Sequence, residues 1–402
     1  MIRKIIHLDL DAFFCAVEEQ RDPTLRGKPF VVGGKSEYRG VVSSASYPAR
    51  RYGIHSAMPT ARAMQRCPDL IIVSGRHHQY SEMSRKVMQH LYNRTNLVEQ
   101  ISIDEAFLDV TDLRTSAEIL ARDLQSDIWD DLLLPCSLGV ATNKLVAKIA
   151  NNVGKSSAQT DGPPMAIKVI PPGQEAAFLA PLPVKELWGV GPKTADSFAR
   201  LGIKTIGDIA RWPPQDLIAR FGQHGEDLAN RARGLDSRPI MTEHEAKSIS
   251  QETTFAQDVS DAGKLQRTLL QLVENVGWRL RQAEVVGSTI RIKLRWADFT
   301  TITRQITLAV PTNQDGEILQ AAQSLFTKTW LPGKPVRLLG VGVSGFQSPA
   351  QQLELWETPS QRGERLQKAL DEVRDRYGKR AIHRAIDLNS SRSDEKKEEK
   401  TG

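Results

Sequence analysis

The sequence contains little cysteine and no long apolar run. Its three cysteines, Cys15, Cys67 and Cys136, lie far apart among 402 residues, and this spacing excludes both a zinc site built from thiols and a secreted disulfide framework. No run approaches about 18 consecutive apolar residues, and the first residues, MIRKIIHLDLDAFF, contain aspartates where a signal peptide would continue apolar. The sequence therefore predicts a cytoplasmic protein that does not enter a membrane.

A strong charge of either sign is also lacking. The 54 Lys and Arg residues face 48 Asp and Glu residues, which gives a formal net charge of +6. This mild basic excess is compatible with a polyanionic partner but does not require one. The length of 402 residues exceeds the usual size of one hydrophobic core, so we expect several domains.

Changes in pattern divide the chain into five segments. Residues 1–165 alternate short apolar strands with helical stretches, which is typical of an α/β domain. A Gly- and Pro-rich passage introduces a helical segment at 166–238, and the polar residues 239–247 read as a linker. Residues 248–346 have the pattern of a small α+β domain, and 347–402 contain an additional helix and a charged tail that we expect to be disordered.

The α+β segment carries the clearest periodicities. Apolar residues at helical spacing predict two helices, and alternating apolar and polar residues predict three strands. The expected helices lie at about 261–284 and 316–329, and the strands at 289–296, 301–310 and 336–346. The additional helix is expected at about 361–377.

The first strand ends in an acidic residue. Because strand side chains alternate, Ile6, Leu8 and Leu10 share one face, and His7 and Asp9 share the other. Asp9 is therefore expected to project away from the buried face.

A second pair of acids, Asp104 and Glu105, interrupts the apolar run VEQISIDEAFLDV. Adjacent strand residues point to opposite faces, but a tight hairpin turn would let both carboxylates reach one site. Carboxylates at two strand ends are suited to hold two magnesium ions for phosphoryl transfer, since Mg²⁺ prefers anionic oxygen ligands. The alternative is that these acids are ordinary strand-end or cap residues, and the spacing alone favours that alternative.

Four blocks of sequence resemble the Y-family DNA polymerases, particularly the bacterial enzymes. They are DLDAFFCAVEEQ from Asp9, GVVSSASYPARRYGIHSAMPTARA from Gly40, SIDEAFLDVT from Ser102 and SLGVATNKLVAKIA from Ser137. The resemblance implies a right-hand polymerase with several α/β and α+β domains. Its palm would span 1–165 with small fingers inserted at about 12–75, its helical thumb 166–238 and its C-terminal little finger 248–346.

The resemblance also implies how the acids work. The two Mg²⁺ ions would be held by the side chains of Asp9, Asp104 and Glu105 and by the main-chain carbonyl of Leu10. The reaction would be attack of a primer 3′-hydroxyl on the α-phosphate of a deoxynucleoside triphosphate, without a covalent enzyme intermediate.

Four further residues would bind the nucleotide by the same resemblance. Tyr47, Arg50 and Lys155 would contact the triphosphate, although Lys155 lies within the stretch GKSSAQTDGPPM, which departs from the family's usual KPNG-like turn. Phe14 would be the steric gate that excludes ribonucleotides, since it is rotated away from the core-facing side of its helix.

Small side chains are expected above the nascent base pair. The roof residues implied by the resemblance are Val41, Ser43, Ser44 and Ala45. Loose contact with the base pair gives low fidelity and suits translesion synthesis, and no segment is left for a proofreading nuclease.

Two regions are expected to bind primer-template DNA. In the thumb, the GVGPK turn resembles a helix-hairpin-helix, whose backbone N–H groups would bind a phosphate. In the little finger, alternating basic residues would share one strand face, with an arginine of the next strand joining them. The residues are Gly189, Gly191 and Lys193 in the thumb, and Arg291, Lys293, Arg295 and Arg304 in the little finger.

The pentapeptide QLELW resembles the QLxLF motif by which bacterial polymerases dock on the sliding clamp. It would bury Leu353, Leu355 and Trp356 in an apolar pocket, with Gln352 supplying hydrogen bonds. We expect the protein to be a monomer that binds DNA, deoxynucleotides and the clamp.

Two alternatives remain open at this point. A palm-domain nucleotide cyclase also uses paired carboxylates and magnesium, but it would need neither a helix-hairpin-helix nor a basic third domain. A catalytically inactive relative could act as a clamp-bound scaffold, although all three acids are present.

Overall fold

A computed structural model describes residues 2–158, 160–243 and 245–348, together with 367, 369–373 and 376–378. The chain divides into two compact units, one ending at residue 244 and the other beginning at residue 245. This division falls inside the segment predicted to be a linker. Within the described ranges, no helix is both long and apolar enough to cross a membrane.

The N-terminal unit contains eight strands and eleven α-helices among the residues described. The strands are β1 (Ile5–Leu10), β2 (Phe30–Gly33), β3 (Val42–Ala45), β4 (Ile71–Val73), β5 (Val98–Gln100), β6 (Glu105–Asp109), β7 (Cys136–Ala141) and β8 (Ile167–Val169). The helices are α1 (Phe13–Arg21), α2 (Tyr47–Arg50), α3 (Thr60–Arg66), α4 (His77–Tyr92), α5 (Ala117–Leu132), α6 (Lys144–Ser157), α7 (Glu175–Leu179), α8 (Pro192–Arg200), α9 (Ile206–Arg211), α10 (Pro214–Phe221) and α11 (Gln223–Ala232).

Strand β1 lies at the centre of a five-stranded sheet of order β5-β6-β1-β7-β8. It pairs antiparallel with both β6 and β7. Its side chains alternate as expected, but the face that carries His7 is also covered, because α6 packs on it and Asn151 of that helix bonds the His7 ring. His7 is fully buried. The expectation that this face lies away from the core was therefore wrong.

The central sheet also extends beyond the predicted palm boundary at residue 165. Strand β8 forms its edge, pairing parallel with β7 from Ile167 onward. In addition, Val146 and Ile149 of α6 belong to one apolar cluster with Phe198 and Leu228 of the following helices. The helical segment thus shares a core with the sheet.

A smaller sheet of order β3-β2-β4 occupies the predicted fingers. Its cluster contains Val31, Val42 and Ile54. Helix α1, by contrast, packs Phe13 and Val17 into the core of the large sheet. The part of the insertion near residue 12 is therefore continuous with the palm.

The C-terminal unit is an antiparallel sheet of order β11-β10-β12-β9 with two helices. Its elements are β9 (Ser248–Val259), α12 (Ala262–Gln282), β10 (Val286–Trp296), β11 (Thr301–Thr312), α13 (Asp315–Thr329) and β12 (Val336–Gln347). The predicted α+β class, both helices and three strands are confirmed. Strand β9 was missed, because only Ile249, Phe255 and Val259 of its twelve residues are buried and they do not alternate.

Helical residues within 367–377 pack onto this unit. The Asp371 carboxylate accepts hydrogen bonds from the Arg281 guanidinium at 2.5 and 3.2 Å, and the same arginine contacts Asp315 at 2.9 Å. These described residues lie in the predicted additional helix.

Candidate active site

The catalytic candidates meet at one end of the central sheet. Asp9, near the end of β1, is the direct cross-strand partner of Glu105, the first residue of β6. The Leu10 N–H donates to the Asp104 carbonyl at 3.0 Å, so the hairpin between β5 and β6 lies against the end of β1. Asp9, Asp104 and Glu105 are thus brought together although about 95 residues separate the two sequence blocks.

Ser102 shapes the hairpin turn that carries Asp104 and Glu105. Its hydroxyl accepts the Glu105 N–H at 2.9 Å and donates to the Asp104 carboxylate at 2.6 Å. The Ser102 N–H also donates to the Glu105 carbonyl at 3.3 Å. The turn predicted from the sequence is present, and it orients the two adjacent acids without requiring both to lie in a flat strand.

Two lysines of α6 neutralise these acids. Lys155 Nζ lies 2.6 Å from Asp9, and Lys148 Nζ lies 2.5 Å from Glu105. The two lysines are seven residues apart, which is about two helical turns, so they share one face of α6. The structure thus brings Lys155 to the site, despite the departure in the sequence that follows it. Lys148 was missed, although its spacing from Lys155 was a usable signal.

Asp11 is a further carboxylate that the sequence analysis missed. It is fully buried and lies 2.9 Å from Lys155 Nζ. It also accepts hydrogen bonds from the Ser137 hydroxyl at 2.8 and 3.0 Å and from the Met165 N–H at 3.1 Å. Its position two residues after Asp9 was the available signal.

The His7 ring lies beneath the acids. Asn151 Nδ2 donates to His7 Nδ1 at 3.0 Å, so the ring proton is assigned to Nε2, which lies 3.9 Å from the Glu105 carboxylate. Burial lowers the pKa of His7 to about 4. The ring is therefore neutral at physiological pH and presents an N–H toward Glu105.

The two paired carboxylates are shifted in opposite directions. Burial raises the pKa of Asp9 to about 7, against the opposing charge of Lys155. Burial would also raise the pKa of Glu105, but the nearby His7 N–H and the Lys148 ammonium outweigh it and hold that pKa well below its ordinary value. Glu105 is therefore charged at neutral pH, whereas Asp9 titrates near it.

The donor set fits a hard divalent cation. Within the described ranges, no three Asp, Glu, His or Cys side chains are gathered closely enough to hold a metal ion. The site nevertheless contains two carboxylates on paired strands and a third on a turn beside them. The two ammonium groups pair with only two of these three carboxylates. Oxygen donors with an unmet need for positive charge are the chemistry that Mg²⁺ requires.

Phe14 forms a fixed wall near this site. Its ring stacks on Tyr80 with centroids 4.2 Å apart and planes inclined by 14°, and His77 meets it edge-on at 6.0 Å. Tyr80 is fixed in turn, because its hydroxyl donates to the buried Glu18 carboxylate at 2.7 Å. The expectation of a ring freed from the core was only partly correct: Phe14 is half-buried, and one of its faces is occupied.

Tyr47 and Arg50 lie on the short helix α2. The Arg50 guanidinium lies 4.8 Å from the centroid of the Tyr47 ring, and its Nε donates to the Ala45 carbonyl at 3.0 Å. Burial, and then the negative charge of Asp11, raises the pKa of Tyr47 well above its ordinary value. The phenol is therefore neutral and faces the carboxylates.

The roof prediction requires correction. Val41 and Ser43 are exposed, as residues above an open site must be. Ser44 and Ala45 are buried, and Ala45 belongs to the core of the small sheet. Two of the four proposed roof residues therefore have packing roles in this structure.

The glycine turn in the thumb precedes helix α8. Gly189 has a φ of +103°, which favours glycine, and Gly191 is the N-cap of α8 with Pro192 in its first turn. Apart from its chain neighbours, no described residue has an atom within 4 Å of where a Gly191 Cβ would be, so this part of the turn is open. The element immediately before it is a short 3-10 helix, Val184–Glu186, so the turn lies between two helices as predicted.

The basic face of β10 is present as predicted, with one exception. Ile290, Ile292 and Leu294 are buried, and the alternating basic side chains Arg291, Lys293 and Arg295 are half-exposed. In the register between β10 and β11, Arg304 stands opposite Ile292. Directly opposed residues share a face, so Arg304 does not join the basic face, and that expectation was wrong.

An open groove adjoins the catalytic hairpin. Its volume is about 450 Å³, and it is lined by Ser81, Ser84 and Arg85 of α4 and by residues 100–103. The predicted clamp motif, Gln352, Leu353, Leu355 and Trp356, lies outside the described residues.

Comparisons with known proteins agree with this geometry. Residues 8–152 match the impB/mucB/samB family, 246–355 match that family's C-terminal domain, and 172–203 match the IMS family HHH motif. The chain is similar to the DNA polymerase IV of Desulfatibacillum aliphaticivorans, with 42% identity over 95% of this chain and 96% of the relative. It is also similar to the DNA polymerase IV of Halorhodospira halophila, with 41% identity over 88% of this chain and 98% of the relative.

Solved structures show the same likeness. The Y-family DNA polymerase chimera Dbh-Dpo4(243-245)-Dbh matches with a TM-score of 0.75 and 26% identity, covering 86% of this chain and 100% of the other. An insertion ternary complex of Dbh DNA polymerase matches with a TM-score of 0.60, at the same identity and coverage. With an acid cluster at the end of its central sheet and three regions that match one family in order, this chain belongs to the Y-family DNA polymerases, the impB/mucB/samB family.

Proposed function

We propose that this DNA polymerase extends a primer 3′-hydroxyl on a DNA template with low fidelity and without proofreading, as translesion synthesis requires. The observation that carries the proposal is the meeting of Asp9, Asp104 and Glu105 at one end of the central sheet. Neither the cyclase nor the inactive scaffold is favoured, since all three acids are present and the family match includes the helix-hairpin-helix and the C-terminal domain.

Two Mg²⁺ ions would be held by the carboxylates of Asp9, Asp104 and Glu105 and by the Leu10 carbonyl. When bound, they lower the pKa of the primer hydroxyl and neutralise the leaving pyrophosphate. The protein's own contribution is to hold these oxygens in place: Ser102 orients Asp104, and Lys148 keeps Glu105 charged. Asp9 must release Lys155 before it serves as a ligand.

The incoming nucleotide would bind on the opposite side of the acids from the palm core. Lys155 and Arg50 supply positive charge for the triphosphate, and Tyr47 supplies a neutral hydroxyl beside it. The Phe14 ring would lie against the sugar and clash with a ribose 2′-hydroxyl. Its stacking on Tyr80 supports this role, because the ring can exclude a ribose 2′-hydroxyl only if it is held in place.

Contacts to DNA would be independent of sequence. The first turn of α8, with Gly189, Gly191 and Lys193, presents backbone N–H groups and a positive charge to a phosphate. Arg291, Lys293 and Arg295 offer a second row of positive charge. Lys293 forms an ion pair with Glu252 at 2.8 Å, so the two arginines are expected to contribute more to phosphate binding than Lys293 does.

Low fidelity is supported by the residues expected above the base pair. Exposed Val41 and Ser43 leave the nascent base pair loosely covered.

We further propose that residues 352–356 dock on a bacterial sliding clamp, that the enzyme is a monomer, and that it works in the cytoplasm. The three cysteines are free and buried, as a reducing compartment allows. Alanine at Leu353, Leu355 and Trp356 should leave synthesis on a short primer intact and remove stimulation by the clamp. Loss of basal synthesis would mean that the segment is structural.

Primer extension by the purified protein tests the central proposal. With magnesium and single deoxynucleotides, the enzyme should extend undamaged templates and insert opposite an abasic site, and it should not shorten a mismatched primer. Primer-independent cyclisation of a nucleotide, or no synthesis by the folded protein, would contradict it.

A further inference from the structure

Asp11 is a buried carboxylate with no place among the metal ligands proposed above. Its side chain has no exposed surface. Its oxygens accept from the Ser137 hydroxyl and the Met165 N–H, and Lys155 Nζ lies 2.9 Å away. A buried charge is stable only when it is paired and hydrogen-bonded, and Lys155 provides the cation of this arrangement.

The Lys155 ammonium therefore contacts two acids, of which only Asp9 is a proposed metal ligand. Its Nζ lies 2.6 Å from Asp9 and 2.9 Å from Asp11. Asp9 is one of the proposed metal ligands and would turn from Lys155 to the ion. Asp11 is not among those ligands, and its carboxylate is also bonded to Ser137 and Met165.

The contacts of Asp11 also connect the elements that surround the Lys155 ammonium. Ser137 belongs to β7, and its hydroxyl accepts the Ala166 N–H at 3.0 Å while it donates to Asp11. Met165 is the last residue of the segment that departs from the family's usual turn, and Ala166 follows it. Asp11 thus ties β7 and the approach to β8 to the end of β1, directly under the lysine.

We propose that Asp11 is a positioning residue: it holds the Lys155 ammonium at the site after Asp9 has turned to the metal, and thereby sets the affinity for the triphosphate of the incoming nucleotide. The proposal rests on the role of Lys155 in the proposed function.

An Asp11→Asn variant separates this role from a structural one. The asparagine amide has the size of the carboxylate and keeps an oxygen that accepts a hydrogen bond from Ser137 or Met165. It removes the negative charge, which among these three partners matters only for the ion pair with Lys155. The matched control is Ser137→Ala, which deletes a hydrogen bond to Asp11 and retains the charge.

The measurement is equilibrium binding of dCTP to the complex of the enzyme with a dideoxy-terminated primer opposite template G. We expect Asp11→Asn to weaken binding by about tenfold and to raise KM for dCTP with little change in kcat, whereas Ser137→Ala should stay within about twofold. Combined with Lys155→Ala, Asp11→Asn should have no further effect, because it acts through that lysine.

Wild-type affinity in Asp11→Asn, or a full additional loss in the double variant, would overturn the positioning role. Unchanged binding in Lys155→Ala alone would instead contradict the assignment of Lys155 on which the role rests. Thermal unfolding checks that each variant is folded. Should Asp11→Asn not fold, Asp11→Ser, which leaves room for a water beside Ser137, undergoes the same measurements.

Discussion

At the scale of single residues, the acids of the site differ in how readily they accept a cation. Glu105 is charged at neutral pH, because Lys148 and the His7 N–H outweigh the effect of its burial on the pKa. Asp9 is different: burial raises its pKa to about 7 even though Lys155 opposes this. Asp9 therefore titrates near neutral pH, whereas Glu105 remains charged there.

Magnesium binding should depend on pH for this reason. Above about pH 7 Asp9 is a carboxylate and, as a proposed ligand, would bind the ion, whereas below that pH a proton would compete with the ion. The half-saturating Mg²⁺ concentration in single-nucleotide insertion should therefore rise as pH falls from 8 to 6, approaching about tenfold per pH unit at the acid end. A flat Mg²⁺ requirement across this range would contradict the shift.

The Phe14 ring provides a second residue-scale test. Phe14→Ala removes the ring that is stacked on Tyr80 and opens the space beside the sugar. Insertion of ribonucleotides relative to deoxynucleotides should rise by about tenfold or more, because the rejection is steric. The measurement is single-nucleotide insertion with both sugars, and an unmoved ratio would make Phe14 a packing residue only.

At the scale of elements, strand β10 shows how alternation separates two functions. Its apolar residues pack on the helices of the C-terminal unit, and Arg291 and Arg295 project from the other face. Cross-strand register then decides which side chains of β11 join each face. Arg304 stands opposite the buried Ile292 and so lies on the face away from the two arginines.

This geometry supplies a matched pair of variants. Removing Arg291 and Arg295 together should weaken DNA binding uniformly across sequences and lower the slope of log K against log salt by about 1 to 2, as expected for one to two lost phosphate contacts. Arg304→Ala removes one positive charge from the other face and should leave the slope near that of the wild type, whereas Arg291→Ala or Arg295→Ala alone, which also remove one charge, should lower it. Equal effects of the Arg291/Arg295 double variant and of Arg304→Ala in a salt titration would show that DNA binding is not specific to one face of the sheet.

At the scale of the whole molecule, the features that depend on local sequence patterns were predicted better than those that depend on contacts between distant residues. Helices α12 and α13 and strands β10 to β12 follow from periodicity, and the Ser102 turn follows from two adjacent acids in an apolar run. Strand β9 was missed because half of its residues are exposed and its few buried ones do not alternate.

The candidate site shows the same division. Asp9, Asp104 and Glu105 were found from their sequence blocks, and the structure brings them together. Lys148 and Asp11 were not found, because their importance comes from partners far along the chain: Glu105 for the lysine, and Ser137 and Lys155 for the aspartate. Burial of both faces of β1 likewise depends on α6, more than 130 residues away.

The most direct test of the account is single-turnover nucleotide insertion by Asp104→Ala. Among the described residues, the Asp104 side chain is hydrogen-bonded only to Ser102, and the backbone bond from the Leu10 N–H to the Asp104 carbonyl is kept in an alanine variant, so the substitution should leave the fold intact. We predict that insertion falls by at least about a thousandfold while affinity for primer-template DNA stays within about threefold, because the acid holds metal and DNA is bound through phosphates elsewhere. Substantial insertion by the folded variant would contradict the assignment of this acid cluster as the polymerase active site.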